Sequence, residues 1–198
     1  MPARRFSRAE LESFRGATVP DLLPVAGEQP TRLLFVGINP GLWTAAAGAH
    51  FARRGNRFWP ALHLAGITPT LVDASGGMSE ADRRMVIGLG IGITNLVPVA
   101  TARADELTTG ELREGGRALT RLIERIVPDV VAVLGLTAYR QAFGNPASAA
   151  GPQDLTLGGA PLWVLPNPSG LNAHETLASL ADAYREAAIA AGIRVADA

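Results

Sequence analysis

The stretch LLFVGINPG, residues 33–41, carries the fold in its order: four consecutive apolar side chains, then a polar turn set between two glycines. A short apolar run bounded by turn residues reads as a strand covered on both faces. In parallel sheets of that kind, ligands lie beyond the carboxyl ends of the strands. Gly37 and Gly41 let the backbone pass close to a ligand, Pro40 stiffens the turn, and Asn39 stands where a polar side chain can act. Taken alone, the pentapeptide fits a plain strand-to-helix turn equally well, with asparagine as a turn former.

Working outward, comparable apolar runs occur at 91–97, 130–134 and 162–165. Helical spacing fills the intervals. Phe58, Leu62 and Ala65 give a short helix stopped by Gly66. Leu112, Leu119, Leu122, Ile123 and Ile126 line a longer one that starts near Thr108 or Thr109, has Glu111 in its first turn and ends before Pro128. A last helix is expected from about His174 to Ala191, closed by Gly192. LTLGGAPLWVL, residues 155–165, reads as a hairpin feeding the last strand. The expected fold class is α/β, a three-layer α/β/α sandwich around a mainly parallel sheet. Residues 1–30, with Pro20, Pro24 and Pro30, read as a helix and an irregular lead-in, and residues 31–192 as one catalytic domain. Residues 69–77 and 145–151 are small-residue loops with no evident chemistry.

Composition narrows the function. With 198 residues, 47% of them hydrophobic, the chain is long enough for one well-buried core. No run approaches the roughly 20 apolar residues of a membrane-spanning helix, so no membrane partner is expected. The absence of cysteine excludes disulfides, thiol nucleophiles and thiolate metal sites. His50, His63 and His174 make a histidine-based zinc site improbable, so neither metal nor cofactor is expected. The 18 basic residues balance 18 acidic ones, and all 18 are arginine. Lysine chemistry is thereby excluded, whether Schiff-base formation or a phosphate-loop lysine. The arginine-only usage has a plain alternative in a GC-rich coding background. Zero net charge argues against a basic coat over the whole surface but leaves a local patch open. A soluble, cytoplasmic, nucleoid-associated monomer is the expectation.

Two further segments carry chemistry. LPNPSGLN, residues 165–172, leaves the end of another apolar strand as a stiff loop that presents Asn167, Ser169 and Leu171; stapling onto the next helix is the plain alternative for Leu171. HFARRGNRFW, residues 50–59, interleaves Arg53, Arg54 and Arg57 with aromatic rings, the mixture that contacts phosphates and stacks on bases. Phe58 and Trp59 fit a helix core, whereas Phe51 is not explained by it. GLGIG, residues 88–92, suggests a nucleotide-binding module, but its glycines precede a strand instead of joining strand to helix.

Together, GINPG (37–41), GNRFW (55–59), GITNLV (92–97), REGGRAL (113–119) and LPNPSGLN (165–172) make the chain resemble a known family. It is that of the mismatch-specific uracil-DNA glycosylases, bacterial enzymes with thymine-DNA glycosylase relatives, within the uracil-DNA glycosylase superfamily. The resemblance covers residues 31–190. It implies metal-free hydrolysis of the base–deoxyribose bond at G·U mispairs in double-stranded DNA, with thymine and ethenocytosine as further candidate bases. By the same resemblance Asn39 positions the attacking water and Phe51 stacks on the flipped base. The backbone at Gly37, Ile38 and Phe51 reads the base edge, while Asn56, Asn95 and Asn167 complete the pocket. Leu171 is the wedge, and Ser169, Gly170 and Asn172 border it. Apart from the resemblance, the neutral overall charge requires local contacts to DNA, for which Arg53, Arg54 and Arg57 beside the pocket are the candidates. Two departures stand out: Asn172-Ala173 replaces the Ser-Arg that often follows the wedge, and no Arg-Pro precedes Thr101. Asp105 and Glu106 read as helix-start charges, not as a general base. A superfamily member that binds damaged bases without cleaving them is the competing reading, which an intact Asn39 disfavours.

Overall fold

The structure, a computed structural model, describes residues 6–25 and 27–196. Five strands form one sheet: β1 (Leu33–Gly37), β2 (Ile91–Asn95), β3 (Val130–Leu134), β4 (Gly151–Leu157) and β5 (Ala160–Leu165), in the order β2-β1-β3-β5-β4. All neighbours are parallel except the β4–β5 hairpin. The α-helices are α1 (Arg8–Glu12), α2 (Leu42–Ala47), α3 (Phe58–Leu64), α4 (Glu80–Gly88), α5 (Thr109–Ile126), α6 (Leu136–Phe143) and α7 (Leu177–Ala190). The expected three-layer α/β architecture is therefore present.

Alternation along β1 builds both layers. Leu33 and Phe35 enter a core shared with α3, α4 and α7, while Leu34 and Val36 enter one shared with α5 and α6. All five residues of β1 are buried, as its apolar run requires. In α5, Thr108 caps the first turn in a reciprocal arrangement with Glu111, and the helix ends at Ile126 before Pro128. No helix among the described residues is long and apolar enough to cross a membrane.

Several boundaries differ from the sequence reading. The run 91–97 is strand only to Asn95; Leu96 and Val97 are buried in a turn whose amides donate to the Gly37 and Ile38 carbonyls. The last helix starts at Leu177, not His174, because Thr176 caps it through Ser179. The hairpin forms as expected, but its first strand begins at Gly151, four residues before Leu155. Helices α2, α4 and α6 carry no clear periodic signal in the sequence. In α4 only Val86 is buried, so little apolar periodicity marks it.

The lead-in packs on the open side of β2. Leu22 and Ile93 exchange backbone hydrogen bonds of 2.9 and 2.7 Å, and Thr18 bridges Val99. The chain order places β2 and β3 on opposite sides of β1, making the β1–β3 boundary the switch point at which ligands collect in such sheets.

Candidate active site

A cleft of about 300 Å³ opens at that switch point, near the lower end of the range for small-ligand pockets. Its floor comes from the ends of β1, β2 and β3, and its far wall from the loop after β5. Gly37, Ile38, Asn39, Phe51, Arg53, Asn56, Asn95, Asn167, Ser169 and Leu171 all line it, although 134 positions separate the first from the last. Of the other expected residues, Arg54 and Gly170 line an adjoining cleft of about 260 Å³ beside Leu171, and Asn172 faces a third on the α6 side.

The amide of Asn39 has a fixed polarity. Its Nδ2 donates to Thr101 Oγ1 at 2.8 Å, to the Val99 carbonyl at 3.1 Å and to the Pro40 carbonyl at 3.2 Å. The Thr101 hydroxyl spends its own proton on the Arg103 carbonyl at 2.7 Å, so it can only accept from Asn39. Among the described residues nothing donates to Asn39 Oδ1, which is left to the cleft as an acceptor. Nothing in the local sequence around Thr101 marks this part. The oxygen can orient water but cannot deprotonate it, since an amide is neutral and barely basic.

Phe51 is held in a left-handed backbone conformation, φ 55°, which for a bulky residue costs on the order of 1–3 kcal/mol. In return its ring stacks on Phe58 with centroids 3.9 Å apart and planes 23° from parallel. Phe58 is fully buried against Phe35 and Tyr184, so a half-exposed ring at the cleft rests on an aromatic foundation. The Tyr184 hydroxyl also donates to the Pro166 carbonyl at 3.1 Å, anchoring the start of the far loop, and burial raises its pKa well above the usual tyrosine value.

Register places Gly37 opposite Asn95. A methyl group added at Gly37 would lie 2.4 Å from Asn95 Oδ1 and 3.3 Å from Phe51 Cζ, so only glycine leaves room for that amide and that ring together. Asn95 Nδ2 points the other way, 3.4 Å from His50 Nδ1. Burial keeps the His50 imidazole below its ordinary pKa.

The far loop is fixed by bonds between its own side chains and backbone. Ser169 N–H donates to Asn167 Oδ1 at 2.9 Å, leaving the Asn167 amide nitrogen as the free end, and Asn172 Nδ2 returns to the Asn167 carbonyl at 3.1 Å. Arg57, named above with the DNA-contacting arginines, has its guanidinium committed to the Ser169 carbonyl at 2.7 Å, the Asn172 carbonyl at 2.8 Å and the Glu175 carbonyl. Its backbone N–H donates to Pro168 as well. The arginine turn and this loop touch so closely that a Cβ at Gly170 would lie 2.6 Å from the Gly55 carbonyl. From this braced loop Leu171 projects with 72% of its surface exposed.

Charge is distributed unevenly around the mouth. Arg53 and Arg54 are exposed and form no ion pair among the described residues, whereas Arg103 on the opposite lip is paired with Asp105. Asp105 and Glu106 lie in a short 3₁₀ turn, Ala104–Glu106, and Glu106 accepts from the Arg103 N–H at 2.9 Å, in keeping with helix-start charges. No cluster of three or more His, Asp or Glu side chains among the described residues could hold a metal ion. Asn56 Oδ1 accepts from Phe58 N–H at 2.9 Å and thereby starts α3 under the cleft. A family model described as the uracil DNA glycosylase superfamily matches residues 24–191, which contain every lining residue named here.

Proposed function

The chain belongs to the uracil DNA glycosylase superfamily, whose members hydrolyse N-glycosyl bonds in DNA, and on that premise we propose that it removes uracil preferentially from G·U mispairs in duplex DNA. The observation that carries this reading is the pairing of Asn39, whose free oxygen faces the cleft, with Leu171 exposed on the opposite rim. A base inside a duplex is out of reach, and extrusion costs a few kcal/mol, less for a mispair. Leu171 fills the space vacated in the stack, as apolar wedges do elsewhere. Gly170 and Asn172 contact the widowed guanine, and Ser169 borders the wedge.

The flipped ring stacks on Phe51, and Ile38 and Asn95 border its polar edge. Asn39 Oδ1 accepts a hydrogen from water and aims its lone pair at the anomeric carbon. The C–O bond forms, the glycosidic C–N bond breaks, its electron pair leaves with the base, and the water proton is lost to solvent. The Asn167 amide nitrogen, whose oxygen is already occupied, donates toward the departing anion. Stabilising that charge and fixing the water geometry supply the catalysis. With no lysine in the chain, a Schiff base with the abasic sugar is open only to the N-terminal amine, and the strand is left uncut.

Arg53 and Arg54 contact phosphates, while Arg57 shapes the loop beside them. The protein acts as a monomer in the cytoplasm, on nucleoid DNA. The test is a single-turnover assay with excess protein on G·U, A·U and single-stranded uracil substrates, then on thymine and ethenocytosine opposite guanine. Release from G·U ahead of A·U is expected. No abasic product from any uracil substrate overturns the activity; equal rates on the two duplexes overturn the mismatch preference.

A further inference from the structure

His50 joins two parts of the molecule that the proposed reaction does not otherwise connect. Its ring is almost wholly buried, with 4% of the residue exposed, and its backbone carbonyl accepts from Trp59 Nε1 at 3.0 Å. On one side Nε2 lies 3.0 Å from the Pro20 carbonyl in the lead-in. On the other, Nδ1 lies 3.4 Å from Asn95 Nδ2. A carbonyl only accepts, so Nε2 carries the hydrogen, and the neutral ring then offers a lone pair at Nδ1. The amide group that matches a lone pair is the nitrogen. Asn95 is therefore held with Nδ2 toward the imidazole and Oδ1 toward the cleft, beside Gly37 and Phe51.

We propose that His50 is a positioning residue that sets the amide polarity of Asn95, and through it makes the cleft select a base edge carrying an N–H over one carrying a lone pair. The inference rests on the glycosylase reading of the cleft. An asparagine free to rotate by half a turn offers donor or acceptor with equal ease and cannot discriminate. Pinned by a donor-seeking nitrogen behind it, the same side chain presents an acceptor, which pairs with the N3–H of uracil or thymine and repels the N3 lone pair of cytosine. The brace begins at Pro20, ahead of the 24–191 segment that matches the superfamily, so the lead-in takes part in base selection. Asp21 and Arg83 are the charged neighbours of the ring and act on it in opposite directions, while burial keeps it neutral.

The experiment is a double-mutant cycle read on uracil release under single-turnover conditions. His50→Leu should slow release about tenfold, the size of one ordinary hydrogen bond. His50→Asn, whose side-chain oxygen replaces the Nδ1 lone pair, should recover most of that loss. On an Asn95→Ala background, His50→Leu should cost nothing further. The loss should also vanish with 3-deazauracil, which has C–H in place of N3–H. Full additivity in the double variant, or an equal loss on both bases, overturns the proposal, because a purely structural role predicts both. Should the wild-type protein release no uracil, the glycosylase reading falls, and nitrogen-detected NMR of the His50 ring then decides the positioning claim separately. The Nε2-protonated tautomer is expected in the wild type, with a shift toward Nδ1 protonation in Asn95→Asp, whose carboxylate demands a donor. A ring unchanged by that substitution overturns the claim without relying on any His50 variant that fails to fold.

Discussion

The floor of the cleft and its rim solve opposite problems with the same kind of hydrogen bond. On the floor, Asn39 and Asn95 are fixed in polarity: their amide nitrogens point to protein partners, and their oxygens are left at the cleft. On the rim, the loop from Asn167 to Asn172 is fixed in shape, by internal side-chain bonds and by Arg57, and what it presents is an unsatisfied apolar side chain. On the proposed reading, the floor withholds orientational freedom from groups that must aim at one atom. The rim holds a leucine away from the burial it would otherwise seek, which the proposed wedge role supplies inside the DNA stack. If the proposed roles hold, chemistry and engagement are separated in space, and substitutions should separate them in measurement.

The largest effect expected on that division is at Asn39. Asn39→Ala should lower single-turnover uracil release by on the order of 10²–10³, comparable to the loss of one preorganised polar group at a reacting centre, with duplex binding retained in a gel-shift assay. Wild-type rates in that variant would break the claim that the floor aims the water. Next is Arg57→Ala. Removing a guanidinium shared among three carbonyls should cost about 2–3 kcal/mol in denaturant unfolding and slow release from duplex more than from single strands. A stability loss with no change in that ratio would show that the clamp supports the fold without serving the rim.

Leu171→Ala should leave stability unchanged, since the side chain is mostly exposed, and reduce duplex activity about tenfold by weakening the wedge. Equal losses on duplex and single-stranded substrates would remove the contrast between rim and floor. The smallest effect is a pH dependence at the floor. The folded-state pKa of His50 is lowered by burial from 6.5, so below that value the unfolded chain takes up a proton that the native ring resists. Its contribution to stability is present in full above pH 6.5 and is lost as pH falls below it. The slope reaches at most about 1.4 kcal/mol per pH unit, and urea titrations should show it reduced in His50→Asn.

The same contrast explains what the sequence discloses. β1 and β3 are legible because a strand buried on both faces must be continuously apolar, β5 because its run from Leu162 stays apolar although Pro161 is exposed and Trp163 only partly buried, and the exits at Asn39 and Asn167 follow from where those runs stop. The run beginning at Ile91 misleads beyond Asn95, because a buried turn is as apolar as a buried strand and Leu96 and Val97 are both buried. Helix α6 escapes notice since it is short and starts at Gly135 without a capping side chain. The rim could be read because its shape is written locally, in two prolines, a glycine and two asparagines. The polarity of the floor could not. Thr101 reaches Asn39 across 62 positions, and His50 joins Asn95 and Pro20 across 45 and 30. No spacing rule links residues so far apart, and His50 resembles any other buried core histidine until the fold brings its partners together.

The exchange between Leu22 and Ile93 has a consequence for solubility as well. β2 is an outermost strand, and a row of unpaired amides and carbonyls on such a strand is a template for adding another chain. Two short bonds from the lead-in occupy its middle, where a second molecule would begin to pair. A protein shortened at its N-terminus through Leu22 would therefore expose that template and lose the Pro20 carbonyl in the same stroke, becoming prone to self-association as its pocket loosens.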